Sequence, residues 1–330
     1  MDIGGSSNDN VAGQWHDALL RTALGKPEHA GSELLSVLPP EVSAQLDLKQ
    51  LDLQPGSFVD GELRQSHTDL LFRTTYAGDD AYVYVLIEHQ RTPEPLMALR
   101  MLGYQVRIWR RHVAENPGAT TIPVIVPVVI YQGRRRWAAP VDVADLLDAT
   151  PEASDALGAL VPHARYVLDD LTVVDDDALR ARPLTPGARI TLVSLSKAPG
   201  DDDATRWLID WLADFQVLES DHDLMTALLT YYQRVSGTPR ERLREFAATI
   251  GPEAEEIAMT TAEQLEAIGE ARGKALGQSE MLTTMLTARF GELNEPTRHR
   301  IDDATPDQIT TWATRLARGT DTLADVFAER

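Results

Sequence analysis

Ser66-His67-Thr68-Asp69-Leu70-Leu71-Phe72, a Gly78-Asp79-Asp80 turn signal, then Tyr82-Val83-Tyr84-Val85-Leu86-Ile87-Glu88-His89-Gln90: this stretch decides the fold. Both halves are rich in aromatic and aliphatic residues around a turn, which predicts a β-hairpin. Strand side chains alternate, so Glu88 and Gln90 share one face and His89 takes the other. An antiparallel pairing brings Asp69 beside them. A charged group inside an apolar strand is costly to bury unless paired or metal-bound. Two carboxylates and an amide converging at the end of an apolar hairpin suit a hard divalent cation held by oxygen ligands. The plain alternative is a pair of strand ends emerging into water.

Outward from the hairpin, Pro93 and Pro95 mark the start of a helix running to about His112, stopped by Asn116-Pro117-Gly118. On it Arg100, Tyr104, Arg107 and Arg111 recur at helical spacing as one polar stripe, with Met97, Met101, Leu102 and Ile108 on the apolar side. Arginine presents a fork that fits phosphate. Val124 to Tyr131 is continuous and β-branched, the pattern of a strand buried on both faces. Arg134-Arg135-Arg136-Trp137 follows as a second basic cluster.

Before the hairpin, Gln14 to Leu38 is helical by periodicity, divided at Pro27 and ended by Pro39-Pro40, and Ser57-Phe58-Val59 is a candidate short strand. Residues 1–10 are small and polar and are expected to be disordered. After the buried strand, Tyr166-Val167-Leu168 is a further strand, and Ile190 to Leu195 is strand or helix. Helices are expected over about Ala204–Leu218, Leu224–Val235 and Arg240–Ile250. A glycine-loosened linker helix over Glu253–Gln278 and two helices, Met281–Phe290 and Asp307–Leu316, complete the chain. The expected domains are an α/β unit over 11–215, a helical extension over 216–280 and a small helical module over 281–330.

Composition narrows the function classes. The 330 residues include no cysteine, which removes disulfides, thiolate metal sites and cysteine nucleophiles together. The longest apolar run, Ile122 to Tyr131, is 10 residues with two prolines, where a membrane span needs about 20. With no basic, apolar leader at Met1–Ser7, the expectation is a soluble, cytoplasmic protein with no membrane partner. The formal net charge is −20, yet eight arginines between Arg91 and Arg136 face only Glu94 and Glu115. A +6 island thus sits in an otherwise acidic chain. The segment from Val141 to Asp221 holds seventeen acids against six bases and could compete with a polyanion for those arginines.

These residues together resemble the PD-(D/E)XK nuclease superfamily. More specifically they resemble the recombination-promoting nuclease (Rpn), or YhgA-like putative transposase, family. The strings that carry the likeness are His16-Asp17-Ala18-Leu19-Leu20; Ser57-Phe58-Val59-Asp60 with Glu62-Leu63-Arg64; and Thr68-Asp69-Leu70-Leu71. Tyr84 through Gln90, Met97-Ala98-Leu99-Arg100 with Tyr104 and Arg107-Ile108-Trp109, and Ile130-Tyr131-Gln132-Gly133 with Trp137 complete them. The likeness covers about residues 10–215. It implies a restriction-endonuclease-like core, a mixed central β-sheet flanked by helices, followed by an all-helical C-terminal region. It implies a DNA endonuclease that hydrolyses phosphodiesters. Asp69 and Glu88 would be metal ligands, with the His89 backbone carbonyl a third and Gln90 a catalytic partner. The ion would be Mg2+, with Mn2+ or Ca2+ as substitutes. Arg100, Tyr104, Arg107 and Arg111 would contact the DNA phosphates. The superfamily's early helical acid matches Asp17 best, with Glu33 as second choice. Gln90 stands where the superfamily has lysine, and an amide supplies no positive charge to a developing phosphorane. A non-catalytic binding or assembly protein on the same scaffold therefore stays open, as does a homo-oligomer. No second DNA-binding module is evident.

Overall fold

In a computed structural model the chain is described over residues 6–55, 69–88 and 93–328, with residues 69 and 86–88 described by their backbone alone. The expected strand at Ser57–Val59, and His89 and Gln90, lie outside those residues. The chain divides into two units, Met1–Ala258 and Met259–Arg330.

The first unit is built on a five-stranded sheet in the order β1-β2-β3-β4-β5. The strands are β1 (Asp52–Leu53), β2 (Asp69–Tyr76), β3 (Asp79–Glu88), β4 (Val124–Tyr131) and β5 (Val167–Asp170). The first two pairings are antiparallel and the last two parallel. The β2–β3 turn is Ala77-Gly78, one residue earlier than expected, and both residues have positive φ (52° and 95°). That geometry matches the twist of a tight hairpin and suits glycine. Asp79 and Asp80 consequently belong to β3, and Asp80 pairs with Arg73 across the strands at 3.1 Å.

The buried strand reads as its sequence predicts. Ile125 through Tyr131 are all buried. Val126, Val128 and Ile130 fill one core and Ile125, Val129 and Tyr131 another. Pro127, which has no N–H to give to a ladder, precedes the stretch of β4 that pairs with β5, which begins at Val128.

One face is covered by α1 (Ser6–Leu24), α2 (Pro27–Val37) and α7 (Pro186–Lys197), packed on Leu70, Phe72, Val83 and Val85. The helix break at Pro27 falls where expected. The α1 backbone starts at Ser6, inside the segment expected to be disordered. The stretch at Ile190–Leu195 is helical, inside α7. The other face is covered by α4 (Met97–Glu115), the crossover between β3 and β4, through Met97, Met101, Tyr104 and Ile108 against Leu71, Tyr84 and Tyr131. Short helices α3 (Pro40–Ser43), α5 (Pro151–Leu157) and α6 (Asp176–Ala181) link these elements. The single helix expected over Ala204–Leu218 is instead α8 (Thr205–Leu208) and α9 (Leu212–Val217) with a 3-10 turn between them.

Helices α10 (His222–Val235) and α11 (Arg240–Ile250) lie in this unit too, and not in a separate extension beginning at 216. The physical reason is that Leu224, Leu228, Tyr231, Tyr232 and Phe246 complete the same core as the sheet residues. From Pro252 the backbone is one helix, α12 (Pro252–Phe290), with no interruption at the glycines.

The second unit closes its own core from Leu282 and Leu286 of α12, Ile301 of α13 (Glu295–Asp302), Ile309, Trp312 and Leu316 of α14 (Pro306–Ala317), and Val326 and Phe327 at α15 (Leu323–Val326). Arg300 lies over the Trp312 and Phe327 rings and donates to the Phe327 carbonyl at 3.1 Å. Among the described residues no helix is long and apolar enough to cross a membrane.

One buried charge pair ties the sheet to its helices. Asp169 of β5, 4% exposed, accepts two hydrogen bonds from Arg182, at 2.7 and 2.9 Å. Removing one partner strands the other charge in the interior. We therefore expect Arg182→Ala to cost about 3–5 kcal/mol of folding free energy. Urea denaturation measures this, and a loss below about 1 kcal/mol would mean that water reaches Asp169.

Candidate active site

The geometry of the paired acids begins with the ladder. In the β2–β3 register Asp69 stands opposite Leu86, and Leu71 opposite Tyr84. In the β3–β4 register Glu88 stands opposite Tyr131. Asp69 and Glu88 therefore occupy backbone positions of the same parity, that of Leu71, Tyr84 and Tyr131, at one end of the sheet. This is the α4 side. Among the described side chains no group of three or more His, Asp or Glu forms a metal-ligand set; Asp69, Glu88, His89 and Gln90 are not among those side chains.

The α4 stripe divides when side chains are placed. Tyr104 is 2% exposed, its ring 5.1 Å from that of Tyr84. It is a core residue and not the solvent-facing member of a continuous polar band. Its spacing with the arginines could not reveal this, because tyrosine suits both settings. Its hydroxyl accepts from Arg100 Nε at 3.1 Å, and Glu94 lies 3.9 Å from the same guanidinium. Arg107 is exposed, with its guanidinium 5.7 Å from the Tyr104 ring centre. Arg111 forms an i,i+4 pair with Glu115 at 2.7 Å, a surface contact worth little in water.

The early helical acids stand on α1 and α2. Glu33 of α2 lines a small apolar cavity with Leu24, Leu70, Val85 and Ile130, on the face opposite to the parity of Asp69 and Glu88. Asp17 sits half-buried on α1, the helix that covers that same face. Glu33 is 2% exposed and has Arg182 at 3.9 Å and the Ser36 hydroxyl donating at 3.3 Å. Burial pushes its carboxyl well above the ordinary range, and the adjacent Asp169 carboxylate adds to the rise.

The acidic segment is absorbed locally. Asp175 caps α6, Asp176 pairs with Lys197, Asp177 lies 3.8 Å from Arg180, and Asp170 accepts from Thr172 and from the Trp137 N–H. Each of these groups has a contact within its own part of the fold. Sequence reading missed the Asp169–Arg182 pair. An acid closing an apolar strand was the available signal, but its partner lies 13 residues away.

Comparison with known proteins follows the same lines. The family model described as "Putative transposase, YhgA-like" matches residues 14–225. The recombination-promoting nuclease RpnD of Escherichia coli O157:H7 is 30% identical over 256 residues, 76% of this chain and 93% of that protein. RpnA of Escherichia coli K12, also named a recombination-promoting nuclease, is 37% identical over 118 residues, 36% of this chain and 40% of its own. The K12 protein named inactive recombination-promoting nuclease-like protein RpnE is 29% identical over 80% of this chain and 86% of its own. No solved structure matches.

The Glu33 carboxyl gives a pH test. In strong acid both folded and unfolded chains hold its proton. Above the ordinary carboxyl range the unfolded chain releases it while the folded chain keeps it, so folding loses stability as pH rises. Glu33→Gln, a permanent mimic of the protonated form, is expected to stabilise the protein by about 1 kcal/mol at pH 8. It is expected to add much less at pH 4.5. Thermal melts at the two pH values check this, and an equal shift at both would contradict it.

Proposed function

We infer, from the premise that this chain belongs to the YhgA-like putative transposase family, that it is a metal-dependent DNA endonuclease hydrolysing phosphodiester bonds. The observation that carries the reading is the common parity of Asp69 and Glu88 at one end of β2 and β3. The names of RpnD and RpnA support the same class.

The donors are all oxygens: two carboxylates and, by the family likeness, the backbone carbonyl of His89. That set fits a hard divalent cation. Mg2+ held there, or Mn2+ or Ca2+ in its place, would supply positive charge beside the scissile phosphate and acidify a water. The chain's own residues do the rest. Gln90 orients the attacking water through its amide. Arg100 holds a phosphate oxygen, its guanidinium fixed in direction by the Tyr104 hydroxyl. Tyr104 is thus a positioning residue and not a direct DNA contact. Arg107 and Arg111 bind backbone phosphates without reading sequence, and Arg111 exchanges its Glu115 partner for phosphate at little cost.

A second reading is favoured by one specific finding. A relative aligned over most of its length is named inactive, and Gln90 stands in place of lysine. On that reading the chain is a non-catalytic binding or assembly protein. Calorimetry separates the two, since a non-catalytic scaffold is expected to bind neither Mg2+ nor Mn2+ at millimolar concentration.

With Mg2+ the purified full chain is expected to nick or cut duplex DNA. Asp69→Ala and Glu88→Gln are each expected to slow cutting about a hundredfold or more. Gel assays of supercoiled plasmid read this out. Mutants that cut as fast as the parent would show that the site is wrongly assigned.

A further inference from the structure

Many cations of the first unit are tied to acids. Lys26 pairs with Asp221, Lys197 with Asp176, Arg182 with Asp169, Arg189 with Asp214, Arg242 with Asp203, and Arg244 with Glu255. Arg134, Arg135 and Arg136 break the pattern. All three are exposed, they are consecutive, and none has an ion-pair partner among the described residues. In a chain of net charge −20, three consecutive arginines without an acid partner are the longest such run among the described residues.

The segment carrying them is held at both ends. It leaves β4 at Tyr131, fully buried, and returns at Trp137, 9% exposed, with the two rings edge-to-face at 4.8 Å. The Trp137 backbone N–H donates to Asp170 at the end of β5, at 2.9 Å, and its indole N–H to the Ala139 carbonyl, at 2.9 Å. A turn anchored in this way presents its arginines with less conformational entropy to lose on binding.

The same turn holds a second, independent oddity. Both polar atoms of the Gln132 amide are buried, and neither has a hydrogen-bond partner. Leaving a buried amide unsatisfied costs about 1–3 kcal/mol per group, so an orphan among the described residues asks for a partner, a water or a ligand. Gln132 directly follows Tyr131, which stands opposite Glu88 in the ladder.

We propose that the Arg134–Arg136 turn, together with the Gln132 amide, is a binding surface for the phosphate backbone of DNA. The inference rests on the nuclease reading for its choice of polyanion. The guanidinium fork matches phosphate oxygens in pairs, and the turn extends from the strand end that adjoins Glu88. The backbone is thereby held beside the hydrolytic centre by a rigid loop, in addition to the α4 arginines.

The test uses the full chain and a 20-base-pair duplex in EDTA, with binding followed by fluorescence anisotropy across a NaCl series. The variant carries Arg134→Gln, Arg135→Gln and Arg136→Gln, and a thermal melt matching the parent establishes that it is folded. Each lost phosphate contact lowers the magnitude of the slope of log affinity against log salt by about 0.9. The expected drop is therefore about 2–3, with affinity at 0.1 M salt falling about tenfold or more. Gln132→Leu is expected to keep or raise the melting temperature while weakening DNA binding, which a merely structural glutamine would not do. An unchanged slope and affinity in the triple variant would overturn the proposal and assign the turn to a carboxylate-bearing partner. So would absence of DNA binding by the parent. Parallel Mg2+ assays keep the two readings apart. Binding that depends on the arginines without any cutting would remove hydrolysis and leave this surface standing. Cutting that persists with an unchanged slope would do the reverse.

Discussion

The pairing of β3 between an antiparallel and a parallel neighbour is the constraint on which the molecule depends. Because strand side chains alternate, two registers together assign every residue of β2, β3 and β4 to one of two cores. A slip of one residue in either pairing would move Val83 and Val85 away from α1 and α2 and would expose Tyr84 to the wrong helix. The two clusters, one under α1, α2 and α7 and one under α4, lock the registers in place. The positions of Asp69 and Glu88 are by-products of that lock. Their parity is set by the hydrophobic packing of Leu71, Tyr84 and Tyr131, several residues away.

The opposite face carries the costlier electrostatics. Asp169 and Glu33 are both nearly inaccessible and share one arginine. A single guanidinium can balance one carboxylate. Burial, with the neighbouring Asp169 carboxylate, favours the protonated form of Glu33, the form that leaves one ion pair and one neutral acid.

Much of this was legible in the sequence, and the reasons differ by element. The octapeptide Val124–Tyr131 announced a two-sided strand because burial on both faces removes alternation altogether. Helices α2, α10 and α11 followed from periodicity and from prolines at their boundaries. The merging of α12 could not be read, since glycine lowers helix propensity without forbidding a helix. The true boundary near 258 was hidden because amphipathic helices such as α10 do not reveal which core they complete. Asp69 and Glu88 were legible as charges in apolar strands, and the ladder adds only their common parity. Tyr104 was misjudged, because spacing places a residue on a helix face without telling what covers that face. The orphan amide of Gln132 and the Asp169–Arg182 pair are tertiary facts. No local pattern encodes which carboxylate an arginine 13 residues downstream will meet.

Pro127 has a consequence beyond the ladder it interrupts. Val-Ile-Val-Pro-Val-Val-Ile-Tyr carries no charge and is almost wholly β-branched, the composition of a segment that stacks into cross-β fibrils when unprotected. Fibril-forming windows are typically about 5–7 residues without proline. Pro127 cuts the octapeptide into pieces shorter than that. The residue at which the β4–β5 pairing has not yet begun is thus also a gatekeeper for the nascent chain, breaking up this uncharged stretch until helices cover it.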